Sequence, residues 1–318
     1  MNIKISIPLR AKLWLALLAC ISIIGFGFDS FLPNQPSLIR WSNYDLAIGV
    51  FIGVKWSLFI AILSMLIAST IGITLGLLSG YFQNTKYKVS WVGILWVALT
   101  LFCCCFYGVY MNTSFQNANG GSILVTTLLV IAISRLLWAL IAKYIQPKKN
   151  RAVPIDSMIS QTIEIMNSTP KIIIIVVLAA VVQQTSVGVL IWIIGLTSWT
   201  GIARIMRAET LKCKEKFFIE SATAMGIKDS MILLKYILPN TIKPILVIIS
   251  FGVGSVVLIE SSLSFLGIGV SRDTITLGKI IAYGQNNIDN WELTLLPGFA
   301  IFVIVYGLNI IARELKLD

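Results

Sequence analysis

Phe217–Asn240 reads FFIESATAMGIKDSMILLKYILPN, a charged, amphipathic stretch set between long apolar runs. Ser221, Ala222, Thr223 and Ala224 are small, and Gly226 breaks the pattern that precedes it. Asp229 and Ser230 are suited to cap a second helix. Apolar residues then recur at Met231, Leu234, Ile237 and Leu238, before Pro239 and Asn240 end the pattern. The spacing predicts two short helices joined at Gly226, lying on the cytoplasmic side of a membrane.

Composition supplies the membrane. The chain has 318 residues, of which 57% are hydrophobic and only 12% charged. That balance is too apolar for a soluble protein of this size and points to several spanning helices. The net charge of +11 comes from basic residues placed between apolar runs, as orientation signals are, so nucleic acid is not an expected partner. There is no histidine, which excludes imidazole ligands and imidazole bases. Cys103, Cys104 and Cys105 sit in an apolar run without metal-type spacing, so neither a metal centre nor a disulfide framework is expected.

Taken in order, the apolar runs give about eight spans with both termini cytoplasmic. An uncleaved first span ends near Phe28, Asp29–Asp45 forms an external loop, and a second span runs from about Trp56 to Tyr81. Gly72, Gly76 and Gly80 recur four apart near its end, a spacing that lets helix backbones approach closely in lipid. Two further runs, about Val89–Tyr110 and Ser122–Ala142, form a hairpin within 83–151, and Arg135 inside it is read as a snorkelling side chain. A basic linker, QPKKNR at Gln146–Arg151, returns the chain to the cytoplasm. The later spans lie at about Ser160–Val182, Val187–Ala203, Pro244–Leu266 and Trp291–Ala312, with Gly267–Asn290 as a polar external segment. Lys and Arg fall overwhelmingly on the side given to the cytoplasm, eight of them in 204–243 alone. The expected organisation is 1–82, an inserted hairpin and linker at 83–151, and a core at 152–318.

Glu220, Ala222, Gly226 and Leu238-Pro239-Asn240 resemble the EAA, G and LPN positions of the signature loop in binding-protein-dependent ABC importer permeases. Further strings resemble the dipeptide, oligopeptide and nickel permeases of the second, "C" type. They are Leu77-Leu78-Ser79-Gly80-Tyr81-Phe82, Thr197-Ser198-Trp199-Thr200-Gly201-Ile202-Ala203-Arg204, and Glu260 through Gly269, ESSLSFLGIG. Leu296-Pro297-Gly298 and Asn309 match the last span. The likeness covers about Lys55–Phe82 and Asp156 to the C-terminus. Departures are Ser221 in place of the family's second small residue, Lys235-Tyr236 where a basic-histidine pair is common, and Ile275-Thr276-Leu277-Gly278 before the last span.

The resemblance implies a transport subunit rather than an enzyme. It would work with a homologous second permease, two ATPase subunits and an extracytoplasmic solute-binding protein in the bacterial inner membrane. ATP and magnesium would belong to the ATPase, since the chain has no GxxxxGK[ST] string and needs no cofactor of its own. Glu220, Ser221, Ala222, Gly226, Leu238, Pro239 and Asn240 would form the ATPase-docking loop. Glu260, Ser264, Trp199 and Arg204 are expected in the translocation path or in helix packing. For Glu260, a pore-lining carboxylate and a hydrogen bond to a neighbouring helix both remain open. A non-transport scaffold or sensor that keeps the permease fold is the alternative function.

Overall fold

Long apolar segments in lipid must satisfy every backbone group internally, which leaves the helix as the natural solution. The computed structural model describes residues 8–28, 43–83, 155–182, 186–270, 274–285 and 289–317, and within them every regular element is helical. The chain divides into two compact units, Met1–Tyr81 with Ser160–Asp318, and Phe82–Ile159. The helices are α1 Leu9–Phe28, α2 Asn43–Phe82, α3 Ile155–Ser168, α4 Lys171–Val182 and α5 Val187–Lys214. They continue with α6 Phe217–Ala224, α7 Asp229–Phe265, α8 Leu277–Gln285 and α9 Glu292–Leu317. All but the last residue of α2 and the first turn of α3 belong to the first unit.

Four of these, α2, α5, α7 and α9, are long and apolar enough to cross a membrane, or five crossings if the bent pair α3–α4 makes one. Ala11–Ile24 of α1 is a shorter apolar helix, and the two spans expected within 83–151 lie outside the described residues. Large apolar side chains stay uncovered along the long helices, among them Phe299, Phe302 and Tyr306 on α9 and Ile173, Val177 and Val181 on α4. Surfaces of this kind belong against lipid or another subunit.

At the centre, α2 is sandwiched between α5 and α7. Its glycines lie directly on α5: a methyl group at Gly72, Gly76 or Gly80 would fall 2.8, 2.6 and 2.7 Å from the side chains of Ile202, Met206 and Thr210. The same methyls would press on the Trp199, Ala203 and Arg207 carbonyls at 2.9, 2.7 and 2.8 Å. Residue numbers rise together on both helices, so α2 and α5 run parallel with their backbones in contact. Gly195 of α5 repeats the device in reverse, against Ile67 and the Ser64 carbonyl. On the other flank α7 runs antiparallel to α2, with Ser57 beside Glu260, Met65 beside Gly252 and Tyr81 beside Asp229.

Several boundaries differ from the sequence reading. Helix α2 begins at Asn43, thirteen residues ahead of the expected Trp56, because Leu46, Ile48 and Ile52 pack with Ile275, Ile280 and Leu293. Lys55, expected at a span boundary, is therefore inside the helix, 3% exposed, with its ammonium 4.8 Å from the Trp56 ring centre. The expected single span Ser160–Val182 is bent by 82° between α3 and α4, where Pro170 cannot continue a helix. Helix α5 runs to Lys214 rather than Ala203, since charge ends an apolar span without ending a helix. The segment Gly267–Asn290 is not simply a polar loop. It contains α8, which buries Leu277 and Ile280 and packs on α7 and α9. Gly278 permits this, because a methyl there would overlap the Ser261 carbonyl.

Candidate functional site

Helix α6 is only eight residues long, too short to stand in water alone. It is held by two buried side chains, Ile219 and Ala222, which face the turn of α7 at Ile232–Ile237. Its C-terminus closes with the Ile227 amide donating to the Ala222 carbonyl at 3.2 Å and the Gly226 amide to Thr223 at 3.0 Å. This is the Schellman arrangement, and it requires a left-handed residue, here Gly226 at φ +73°. A side chain at Gly226 would meet open space, so the demand for glycine is conformational rather than steric.

Beyond Gly226 the chain differs from the two-helix expectation. Instead of a second short helix ending at Pro239, one continuous helix runs from Asp229 to Phe265. Pro239 lacks an N–H and its ring crowds the carbonyl four residues back, so it should interrupt an α-helix. The helix accommodates it by widening into a π-turn over Ile232–Ile237, in which the Leu238 amide donates to Leu233, five residues back. Side chains just beyond Pro239 bond back onto carbonyls at the end of this turn. Asn240 Nδ2 donates to Tyr236 at 2.6 Å, and Thr241 Oγ1 donates to Ile237 at 3.0 Å and Leu238 at 3.2 Å. Lys228, not Asp229, occupies the N-cap position.

The surface so formed is apolar with a basic fringe. Phe217 is 80% exposed, and Met225 and Leu234 are also uncovered, with Lys216, Lys228 and Lys235 exposed around them. Glu220 projects from the first turn of α6, while the Ser221 hydroxyl turns back to the Phe217 carbonyl at 3.0 Å. Leu238 and Pro239 are half-buried and Asn240 is exposed.

The other expected residues lie elsewhere. Glu260 is completely buried and accepts from Ser57 at 2.6 Å and from Ser264, one turn along, at 2.8 Å. It sits about 45 Å along α7 from Asp229. Trp199 is half-buried with its carbonyl against Gly72, and Arg204 is exposed on α5. Two residues that sequence reasoning does not single out, Tyr81 and Lys214, complete the loop's base. Tyr81, at the end of α2, donates its hydroxyl to the Asp229 carboxylate at 2.5 Å, and its carbonyl accepts from Lys214 at 3.0 Å. Tyr81 stands in the family-like string 77–82, yet nothing in that string announces a partner so distant in sequence.

Residues 137–315, more than half of the chain, match the family described as binding-protein-dependent transport system inner membrane component. The oligopeptide transport system permease proteins OppC of Salmonella typhimurium and Escherichia coli are each 34% identical over 164 residues, covering 51% of this chain and 54% of theirs. The dipeptide transport system permease protein DppC of Alkalihalophilus pseudofirmus is 31% identical over 163 residues, 51% of this chain and 53% of its own. The chain spans about half the length of the curated relatives it matches. With a family match over the helices that carry the capped loop, the chain belongs to the inner membrane components of binding-protein-dependent transport systems.

Proposed function

We propose that this chain is a permease subunit of an ATP-driven peptide importer in a bacterial inner membrane, forming half of the translocation path beside a homologous second permease. The loop around α6 docks on the cytoplasmic ATPase subunits, and an extracytoplasmic solute-binding protein delivers the substrate. Peptides are the substrate class because the relatives with the matching segment are oligopeptide and dipeptide permeases. ATP and magnesium stay with the ATPase, and this chain converts its motion into a change of access rather than catalysing a reaction.

One observation carries the reading: an eight-residue helix, closed at its C-terminus by a left-handed glycine, presents exposed Phe217, Phe218 and Met225 at the turn between two spanning helices. A transducing loop must protrude, keep its shape under load and offer an apolar contact surface; the glycine-closed helix and its exposed apolar side chains support that role. The test is recovery of the cognate ATPase with affinity-tagged permease. Gly226→Arg should abolish recovery at normal membrane levels of the permease. Equal recovery with both versions would move the scaffold reading ahead.

A further inference from the structure

The loop 215–228 has two roots, the end of α5 at Lys214 and the start of α7 at Asp229. Both are tied to one residue of a third helix. The Tyr81 hydroxyl donates to Asp229 at 2.5 Å, and the Lys214 ammonium donates to the Tyr81 carbonyl at 3.0 Å while lying 5.8 Å from the ring centre. Tyr81 is 1% exposed while Asp229 and Lys214 are half-buried, so these contacts are partly shielded from water, which strengthens a charge-assisted hydrogen bond. Gly80, the residue before Tyr81, and Gly76, one turn before Gly80, hold the same stretch of α2 against α5 backbone to backbone.

From this we infer that Tyr81 is the positioning residue that fixes the docking loop to α2, so that α6, its two roots and the end of α2 move as one body. The inference rests on the transporter reading. Without the tie, a push on α6 could be absorbed by rotation at Glu215–Lys216 and Ile227–Lys228, the short connections at each root. With it, the push reaches α2, which in turn meets α7 again at Ser57 and Glu260. Coupling then travels through a contiguous chain of packed and hydrogen-bonded groups, which is the form a mechanical link takes in a close-packed protein.

The experiment measures the distance between spin labels at Ala224 on α6 and Leu78 on α2. Both positions are exposed, and the five cysteines are replaced beforehand. The permease is assembled with its ATPase subunits and compared nucleotide-free and trapped with ATP and vanadate. In the unaltered loop the distance should stay within about 1–2 Å between the two states. Tyr81→Phe, which removes only the hydroxyl, should broaden the distribution or shift it beyond that range in the trapped state. Asp229→Asn, whose carboxamide oxygen still accepts, should behave nearly as the parent. A Tyr81→Phe distribution matching the parent in both states would overturn the proposal, as would a parent distance that itself changes by several ångströms. Failure of the parent to recover ATPase is seen separately in the pull-down, and would sink the transporter reading and this inference together.

Discussion

The Ser57 hydroxyl donates to the Glu260 carboxylate at 2.6 Å, joining α2 to α7 across 203 positions of sequence. Of the two roles left open for Glu260, this geometry displays the hydrogen bond between helices. A buried acceptor stripped of its donor bears its desolvation cost uncompensated. Ser57→Ala should therefore lower stability by about 1–3 kcal/mol. Glu260→Gln, which keeps an acceptor oxygen, should be milder than Glu260→Ala. Melting followed by tryptophan fluorescence in detergent decides it, and a Ser57→Ala midpoint equal to the parent's would show the bond contributes nothing.

The glycine contacts between α2 and α5 make a paired prediction. Gly76→Ala places a methyl on the Ala203 carbonyl and Met206 and should cost about 1–3 kcal/mol. Gly201, also on α5, faces open space, so Gly201→Ala should be neutral or stabilise by up to about 1 kcal/mol. Comparing the two melting midpoints separates close approach from generic helix propensity. Equal shifts in the same direction would refute the contact account.

At Gly226 the constraint is a dihedral angle. Gly226→Asn, which tolerates the left-handed region, should retain ATPase recovery, whereas Gly226→Val should lose most of it. Recovery that tracks side-chain size alone, with asparagine as damaging as valine, would contradict this.

Pro239 lies just beyond the π-turn at Ile232–Ile237. Pro239→Ala restores an N–H that can reach the Lys235 carbonyl, and the turn should relax toward regular helix. Amide exchange across 232–238, measured by mass spectrometry, should slow. Unchanged exchange would mean that the turn is set by packing of Ile232 and Ile237 instead.

Much of the fold is legible in the residues, and the parts that are not share a physical cause. Glycines four apart announce close helix contact, and Gly226 announces a helix stop. The string at 260–269 hides a second copy of the same device. Gly267 has φ +76°, with Ile268 donating to Leu263 at 3.0 Å, so α6 and α7 end in matching Schellman geometry. Chemical boundaries, by contrast, are poor guides to structural ones. Arg204 and Lys212 mark where hydrocarbon should end, yet α5 carries on to Lys214. Pro239 reads as a terminator, but the helix passes through it, with a π-turn at Ile232–Ile237 immediately before. Helix α8 is hidden because it is only nine residues long and glycines take two of its four buried positions, so its helical periodicity is easily passed over. The site's base escapes for another reason: Tyr81 and Asp229 are 148 residues apart, and no local pattern links them.

Helix α2 has 40 residues, hence a length of about 60 Å, twice the hydrocarbon thickness of about 30 Å. A rod that long would turn a small rotation into a large displacement at its ends. With its glycine-studded half clasped to α5, a tilt of about 10° would sweep its two tips past each other by about 10 Å. A movement of a few ångströms at the end that holds the loop through Tyr81 would thereby become a comparable stroke at the other, where Leu46 and Ile48 pack on Ile275, Ile280 and Leu293.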